Sequence, residues 1–265
     1  MVNDNKCAKQ KKTEDEKGQQ IRLWAVIFWL AVWQIVSVWL DSDILLVSPV
    51  RVLLRLGQLM STILFWKSIF FTLSRIACGF FLAVAIGCVL AAAASRYHKI
   101  RALLAPAMLT VKSVPVASFT ILALIWFSAK NLSVLISFLM VLPIIYTNVL
   151  SGINQVDRQL LEMAQVFCIP KLRVFRYIYL PQLFPFFYAA STISLGMSWK
   201  AGVAAEVIGI PKGSIGERLQ QAKIYLDTPD LFAWTLVVVG LSLVFERCFL
   251  YGIKRMIVVV AKMEV

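Results

Sequence analysis

Apolar residues in this chain come in long runs separated by short polar stretches. Six of the runs approach membrane length: about Leu23 to Leu40, Ile69 to Ala94, Leu103 to Phe127, Leu132 to Leu150, Ile178 to Met197 and Leu231 to Ile253. A helix needs about 20 apolar residues to cross roughly 30 Å of hydrocarbon. The pattern therefore predicts an all-α polytopic membrane protein of about six transmembrane helices. Residues 1–22 are polar and lysine-rich and read as a tail, leaving 23–265 as a single transmembrane domain. The first run is longer than a signal-peptide core, and Trp39, Leu40, Asp41 and Ser42 offer no cleavage site, so it reads as a retained helix.

Composition agrees: 60% of residues are hydrophobic and 15% charged, far from the balance of a soluble domain. Charge then orients the chain. If the N-terminus is cytoplasmic, 17 of the 27 lysines and arginines fall inside, 9 outside, and Lys112 lies within the third run. Basic residues near a membrane are retained on the cytoplasmic side, so both termini are expected there. Topology accounts for the +13 net charge, and no basic block carries the interleaved aromatics of a nucleic-acid surface. The tail's Lys6, Lys9, Lys11, Lys12, Lys17 and Arg22 contribute to that bias. Five scattered cysteines (Cys7, Cys78, Cys88, Cys168, Cys248) without a CxxC pair make neither a disulfide framework nor a metal site. Trp24, Trp29, Trp33 and Trp39 read as lipid anchors and packing residues, and His98 as a solvated turn residue.

The second run carries Gly79, Ala83, Gly87, Ala91 and Ser95, each four residues from the last and thus on nearly one helix face. Such a face lets another backbone come close, which in lipid is a leading source of helix association. It serves either packing within the bundle or a subunit interface.

Between the fourth and fifth runs lies SGINQVDRQLLEMAQVFCIPKLRVFRY, which the topology places in the cytoplasm. Asp157 is a helix cap, after which Leu160, Leu161, Ala164 and Phe167 or Cys168 recur at helical spacing. Pro170 ends that helix, and Leu172, Val174, Phe175 and Ile178 resume an apolar pattern. Helix, sharp turn, helix is the expected product. Two amphipathic helices of this kind either form a knob for a partner's groove or lie on the bilayer surface.

The order Glu162, Met163, Ala164, then Cys168, then Ile178, Tyr179, Leu180 and Pro181 resembles the EAA signature of permease subunits of bacterial ABC importers. Met163 departs from the usual first alanine and Cys168 from the usual glycine. The second departure matters, because positive φ costs a residue with a Cβ about 1 kcal/mol or more. Further stretches, VSPVRVL, TLSRIACGFFLA, VKSVPVASFTILALIWFSAKN, SWKAGVAAEVIG and GSIGERLQQAKIYLDTPDLFAW, are similar in order to permeases of the nitrate, sulfonate and taurine importer group. The resemblance covers about Val47 to Arg255.

It implies a type I importer permease fold in a bacterial inner membrane. Two copies would form the translocation pathway, and an extracytoplasmic solute-binding protein would deliver cargo. A cytoplasmic ABC ATPase dimer would hold the ATP and magnesium and dock on the coupling loop at about 155–177. The chain itself lacks a GxxxxGK[ST] phosphate loop, is expected to bind no cofactor, and is expected not to be an enzyme. The resemblance assigns Glu162, Met163, Ala164, Cys168, Ile169, Pro170 and Arg173 to ATPase coupling or turn geometry.

For the pathway, ionisable residues at membrane depth are costly and therefore informative. Lys112, just before Pro115, either attracts an anion or snorkels to the interface. Lys200 and Glu206 stand where the fifth run gives way to a Gly-rich segment, and either line or gate the pore or form a structural pair. A membrane enzyme is disfavoured by a single histidine and few acids at depth, and a secondary transporter by the absence of visible repeated halves. A channel-like membrane subunit is the remaining rival. Within the resemblance, the cargo is a small sulfonate, nitrate or similar anion, or alternatively a vitamin-related heterocycle such as a thiamine precursor.

Overall fold

The computed structural model describes residues 23–40 and 46–262; the N-terminal tail with its basic residues and Cys7, together with Asp41 and Ser42, lies outside the described residues. The described chain is helical: α1 Leu23–Leu40, α2 Pro49–Met60, α3 Ile63–Arg96, α4 His98–Ser113, α5 Val116–Trp126 and α6 Ala129–Asn154. There follow α7 Arg158–Val166, α8 Lys171–Val174, a π-helical turn Phe175–Tyr179, α9 Leu180–Gly209, α10 Ile215–Ile224 and α11 Thr228–Lys262. By length and composition α3, α6 and the Thr228–Arg255 part of α11 can each cross a membrane, and α4 with α5 makes a fourth crossing if the bent pair is one span. The first and fifth apolar runs are also helices, α1 and α9.

Three helices form the centre, with α6 between α3 and α9. Its neighbours come close because glycine faces it on both sides. A Cβ built on Gly79 of α3 would sit 2.4 Å from the Val134 carbonyl oxygen, and one on Gly202 of α9 would sit 2.6 Å from Ser137 Oγ. Gly87, Ala83 and Ala91 continue the α3 face, all buried, and pack with Val141, Leu142 and Ile145 of α6. The small-residue face thus serves packing inside one chain. Polar groups share this seam: Ser137 Oγ donates to the Ser198 carbonyl at 3.1 Å, and Ser68, Thr72, Ser133, Ser191 and Ser194 are fully buried with it.

The third apolar run is not one straight span. Pro115 disfavours αR geometry at Val114, which adopts φ −74° and ψ 128°, so α4 stops at Ser113 and α5 restarts at Val116 with its axis bent by 108°. α4 packs against α3 and α6, whereas α5 crosses to α6 and α9. The fifth run also differs from expectation. α9 continues as helix through Lys200 and Glu206 to Gly209, and the irregular segment begins only at Ile210, which takes the left-handed conformation at φ 47°. Residues 198–209 stay helical because they are packed on α6, where loop geometry would strand buried backbone groups.

That irregular segment returns as α10, whose first turn is tied to the core. Glu206 is fully buried, and its Oε2 accepts from Thr72 Oγ1 at 2.7 Å and from the Gly216 N–H at 3.3 Å. Thr72 Oγ1 in turn accepts from the Ile215 N–H at 3.0 Å, and Ser214 Oγ accepts from the Glu217 N–H at 2.9 Å. Three of the four N–H groups that a helix N-terminus leaves unpaired are thereby satisfied, and the carboxylate complements the positive end of the helix dipole. Gly216 permits the contact, since a Cβ there would lie 2.3 Å from Glu206 Cβ.

Outside the centre, α11 packs on α9, α10 and α2, with Trp234 tilted against Phe65 at 5.1 Å and Phe249 edge-on to Phe80 at 5.0 Å. Arg55 of α2 donates to Asp230 at the start of α11 and lies 3.9 Å from Asp227; the hydrogen bond to Asp230 raises the guanidinium pKa against the effect of burial. Both carboxylates remain partly in water, so the pair contributes about 0–1 kcal/mol. α1 touches the bundle through Trp33, whose Nε1 donates to the Val47 carbonyl at 3.1 Å, while Trp24, Trp29 and Trp39 face outward.

Three stability outcomes follow from this packing. Gly79→Val should cost about 1–3 kcal/mol by overpacking the α3–α6 contact. Gly57→Ala, where no atom lies within 4 Å, should gain up to about 1 kcal/mol in helix propensity. Thermal melting of the detergent-purified protein reads both. Glu206→Ala should cost about 1–3 kcal/mol by leaving the Gly216 N–H unpaired, with Glu206→Gln costing less because it keeps an acceptor. Hydrogen exchange at Ile215 to Glu217 localises the effect, and wild-type protection in Glu206→Ala would refute the tether.

Candidate functional site

The segment between α6 and α9 folds as a compact knob. Asp157 caps α7 by accepting from the Gln159 N–H at 2.8 Å, while its own N–H donates to Gln182 Oε1 of α9 at 3.0 Å. The apolar positions of α7 and α8 are thereby aimed at the start of α9. Val156, Ala164 and Ile178 are buried together, with Leu161, Ile169, Val174 and Tyr179 packed around them, so the knob has a core of its own.

Its sharp turn is a Schellman motif built on Cys168. Ile169 N–H donates to the Ala164 carbonyl at 2.9 Å and Cys168 N–H to the Gln165 carbonyl at 3.0 Å, the paired bonds that close a helix through a left-handed residue. Cys168 supplies that residue at φ 52°. The cysteine therefore does what glycine does there, at a cost of about 1 kcal/mol or more for its Cβ. Ile169 packs with Ala164 inside the knob, the hydrophobic contact that accompanies this motif. Pro170 then stands before α8 with φ −56° and ψ 139°, and its carbonyl accepts from the Arg173 N–H at 2.9 Å.

The knob joins α9 through the π-helical turn. Leu180 N–H donates to the Phe175 carbonyl five residues back, and Pro181, next in line, has no N–H with which to continue the normal ladder. Between the knob and the bundle lies a cleft of about 1140 Å³, whose walls include Cys88 and Arg96 of α3, Cys168 and Lys171 of the knob, and Phe184 and Phe187 of α9.

The residues assigned to coupling separate into two groups. Ala164 and Ile169 turn inward and hold the knob together, while Glu162, Met163, Cys168, Pro170 and Arg173 are exposed. Three exposed apolar side chains that the motif alone did not single out join the outward surface: Val166 at 79%, Phe167 at 73% and Leu172 at 79% exposure. Residues this apolar and this exposed, rimmed by charge, are the anatomy of a protein-docking surface.

The pathway candidates do not converge. Lys112 is exposed in the last turn of α4, with Nζ 3.5 Å from Thr147 Oγ1 of α6, beside the break that Pro115 makes. Lys200 is exposed on α9, whereas Glu206 is fully buried, and six residues set their directions about 120° apart around the helix. They form no cluster. Glu206 instead anchors α10. Arg75, one of the 9 basic residues that the topology puts outside, has a structural role that no local pattern signals. Its guanidinium lies 4.3 Å from the Phe71 ring, donates to the Lys130 carbonyl and to Asn131 Oδ1 at 3.0 Å, and so joins α3 to the start of α6.

Comparison with known proteins gives a consistent result. Residues 83–257 match the family model described as binding-protein-dependent transport system inner membrane component. A probable ABC transporter permease of Brucella melitensis is 30% identical over 80% of this chain and 86% of its own. The putative aliphatic sulfonates transport permease SsuC of Bacillus subtilis is 27% identical over 80% of this chain and 78% of its own. The taurine transport system permease TauC of Escherichia coli K12 is 26% identical over 81% of this chain and 80% of its own. Among solved structures, an amino acid ABC transporter chain superposes with a TM-score of 0.55 at 18% identity, covering 76% of this chain and 96% of that one, a likeness of fold. With an all-helical membrane bundle and a helix–turn–helix knob set between α6 and α9, the chain belongs to the inner-membrane components of binding-protein-dependent transport systems, the ABC transporter permeases.

Proposed function

We propose that this permease is one of two copies that form the translocation pathway of an ATP-driven importer, with about six spans and both termini in the cytoplasm of a bacterial cell. The knob at 157–177 transmits the stroke of a separate ATPase dimer, on which ATP and magnesium act. An extracytoplasmic solute-binding protein delivers the cargo. The observation that carries this reading is the knob's construction: a self-contained core with Val166, Phe167 and Leu172 turned outward and exposed among the described residues. A connector lying passively between two spans would need no core of its own. ATP-driven closure of the ATPase would move the two knobs and bias the permease pair between inward-open and outward-open states.

A small organic sulfonate or similar anion is the proposed cargo. The names of the relatives from Bacillus subtilis and Escherichia coli support it. Lys112, exposed beside the broken span, is the cation proposed to attract it.

Phe167→Asp combined with Val166→Asp should abolish copurification of the ATPase and transport-coupled hydrolysis while leaving the permease melting temperature within a few degrees; undiminished coupling would remove the docking role. Cys168→Gly should keep coupling intact and gain about 1 kcal/mol by relieving the left-handed Cβ, whereas Cys168→Val, branched at Cβ, should lower both. Hydrolysis stimulated by the loaded binding protein reads the first effect and melting the second. Lys112→Gln should lower uptake of taurine or an alkanesulfonate about tenfold in proteoliposomes, one unit charge in a low-dielectric pathway being worth about 1 kcal/mol or more. Unaltered uptake would transfer selectivity to the binding protein alone.

A further inference from the structure

The outer part of the α3–α6 seam is open. α4 covers α3 and α6 farther along, but the 108° break sends α5 across to α9. What is left is a groove of about 900 Å³ lined by α3 from Ile63 to Cys78 and by Asn131 and Val134 of α6. One wall is aromatic: Trp66 and Phe70 are 56% and 73% exposed, and Phe71 carries the guanidinium of Arg75 on its ring. Lys67 and Arg75 both line it, as do Ser74 and Asn131, and no carboxylate does among the described residues.

Arg75 is only half used by the protein. Both of its hydrogen bonds leave from Nη1, so Nε and Nη2 have no hydrogen-bond partner among the described residues. Lys67 is exposed two turns nearer the helix start, about 12 Å along the axis. Lys67 and Arg75 thus present an ammonium and part of a guanidinium to the same groove, a pair complementary to an anion. Trp66, beside Lys67, is a residue type enriched at the headgroup level of a bilayer.

We propose that this groove binds an anionic phospholipid, with its phosphate between Lys67 and Arg75 and an acyl chain running past Cys78 and Val134. The two cations are complementary to a phosphodiester, which an ammonium and a guanidinium hold by charge-assisted hydrogen bonds. The bound lipid would brace the junction that Arg75 makes between α3 and the first turn of α6. The inference needs only that the chain is a membrane protein and is independent of its cargo.

Cys78 lies in the groove and is exposed, which supplies the probe. A bimane is attached there in the full permease after Cys7→Ser, Cys88→Ser, Cys248→Ser and Cys168→Gly, and the protein is placed in phosphatidylcholine nanodiscs. Doxyl-labelled phosphatidylglycerol should quench the bimane at about five-fold lower mole fraction than doxyl-labelled phosphatidylcholine. Lys67→Gln should bring that ratio close to one, and Lys130→Gln, a basic residue outside the groove, should leave it intact. Equal quenching by the two lipids, or a ratio unmoved by Lys67→Gln, would overturn the proposal. So would loss of the preference on adding taurine, which would make the groove a site for transported anion, or a bimane reached by neither lipid, which would mean that a second copy covers it.

Discussion

Helices in hydrocarbon gain little by burying apolar side chains against one another, because lipid tails are equally apolar; close backbone approach has to supply the cohesion. In this permease that constraint is met at α6. Gly79 and Gly87 on one side and Gly202 on the other let α3 and α9 approach to distances that a methyl group would prevent. The hydroxyls of Ser137, Ser133 and Ser198 lie in the same narrow seam. Everything else is attached to this three-helix centre: α11 through aromatic edges, α10 through Glu206 and Thr72, and the knob through Gln182.

A tight centre also determines what can move. The knob is joined to it by the Asp157–Gln182 bond, a π-helical turn and a small core, with a large cleft behind. Its turn depends on a strained left-handed cysteine where glycine would be relaxed. The region that contacts the motor in the proposed mechanism is thus among the least braced in the chain, while α10 is held by a buried carboxylate at its positive end. Rigidity and compliance are distributed along the axis by which groups found partners.

Much of this was legible in the residues. Run length and hydropathy located the helices, Asp157 and Pro170 located the ends of the knob helices, and four-residue spacing exposed the small face of α3. Those signals are local, since capping, proline geometry and helical periodicity act within a few residues. Three-dimensional relations are not written locally. Next to Lys112, Pro115 signals a break but not a bend of 108°, and Lys200 and Glu206 are near in the chain although the helix turns them apart. Arg75 was treated as a topological charge although it stacks on Phe71 and holds the start of α6.

Class, helical segments, knob and family can be read along the chain, because composition, periodicity and motif order do not depend on which distant residues meet. Which groups meet comes from the tertiary structure. It placed the small face of α3 against α6 of the same chain, buried Glu206 at the mouth of α10, and put the Cβ of Cys168 into a left-handed turn. The physical reason is that a buried charge or a close backbone contact is defined by groups from elsewhere in the chain: Glu206 and Thr72 are 134 residues apart, and no local pattern in either segment announces the other.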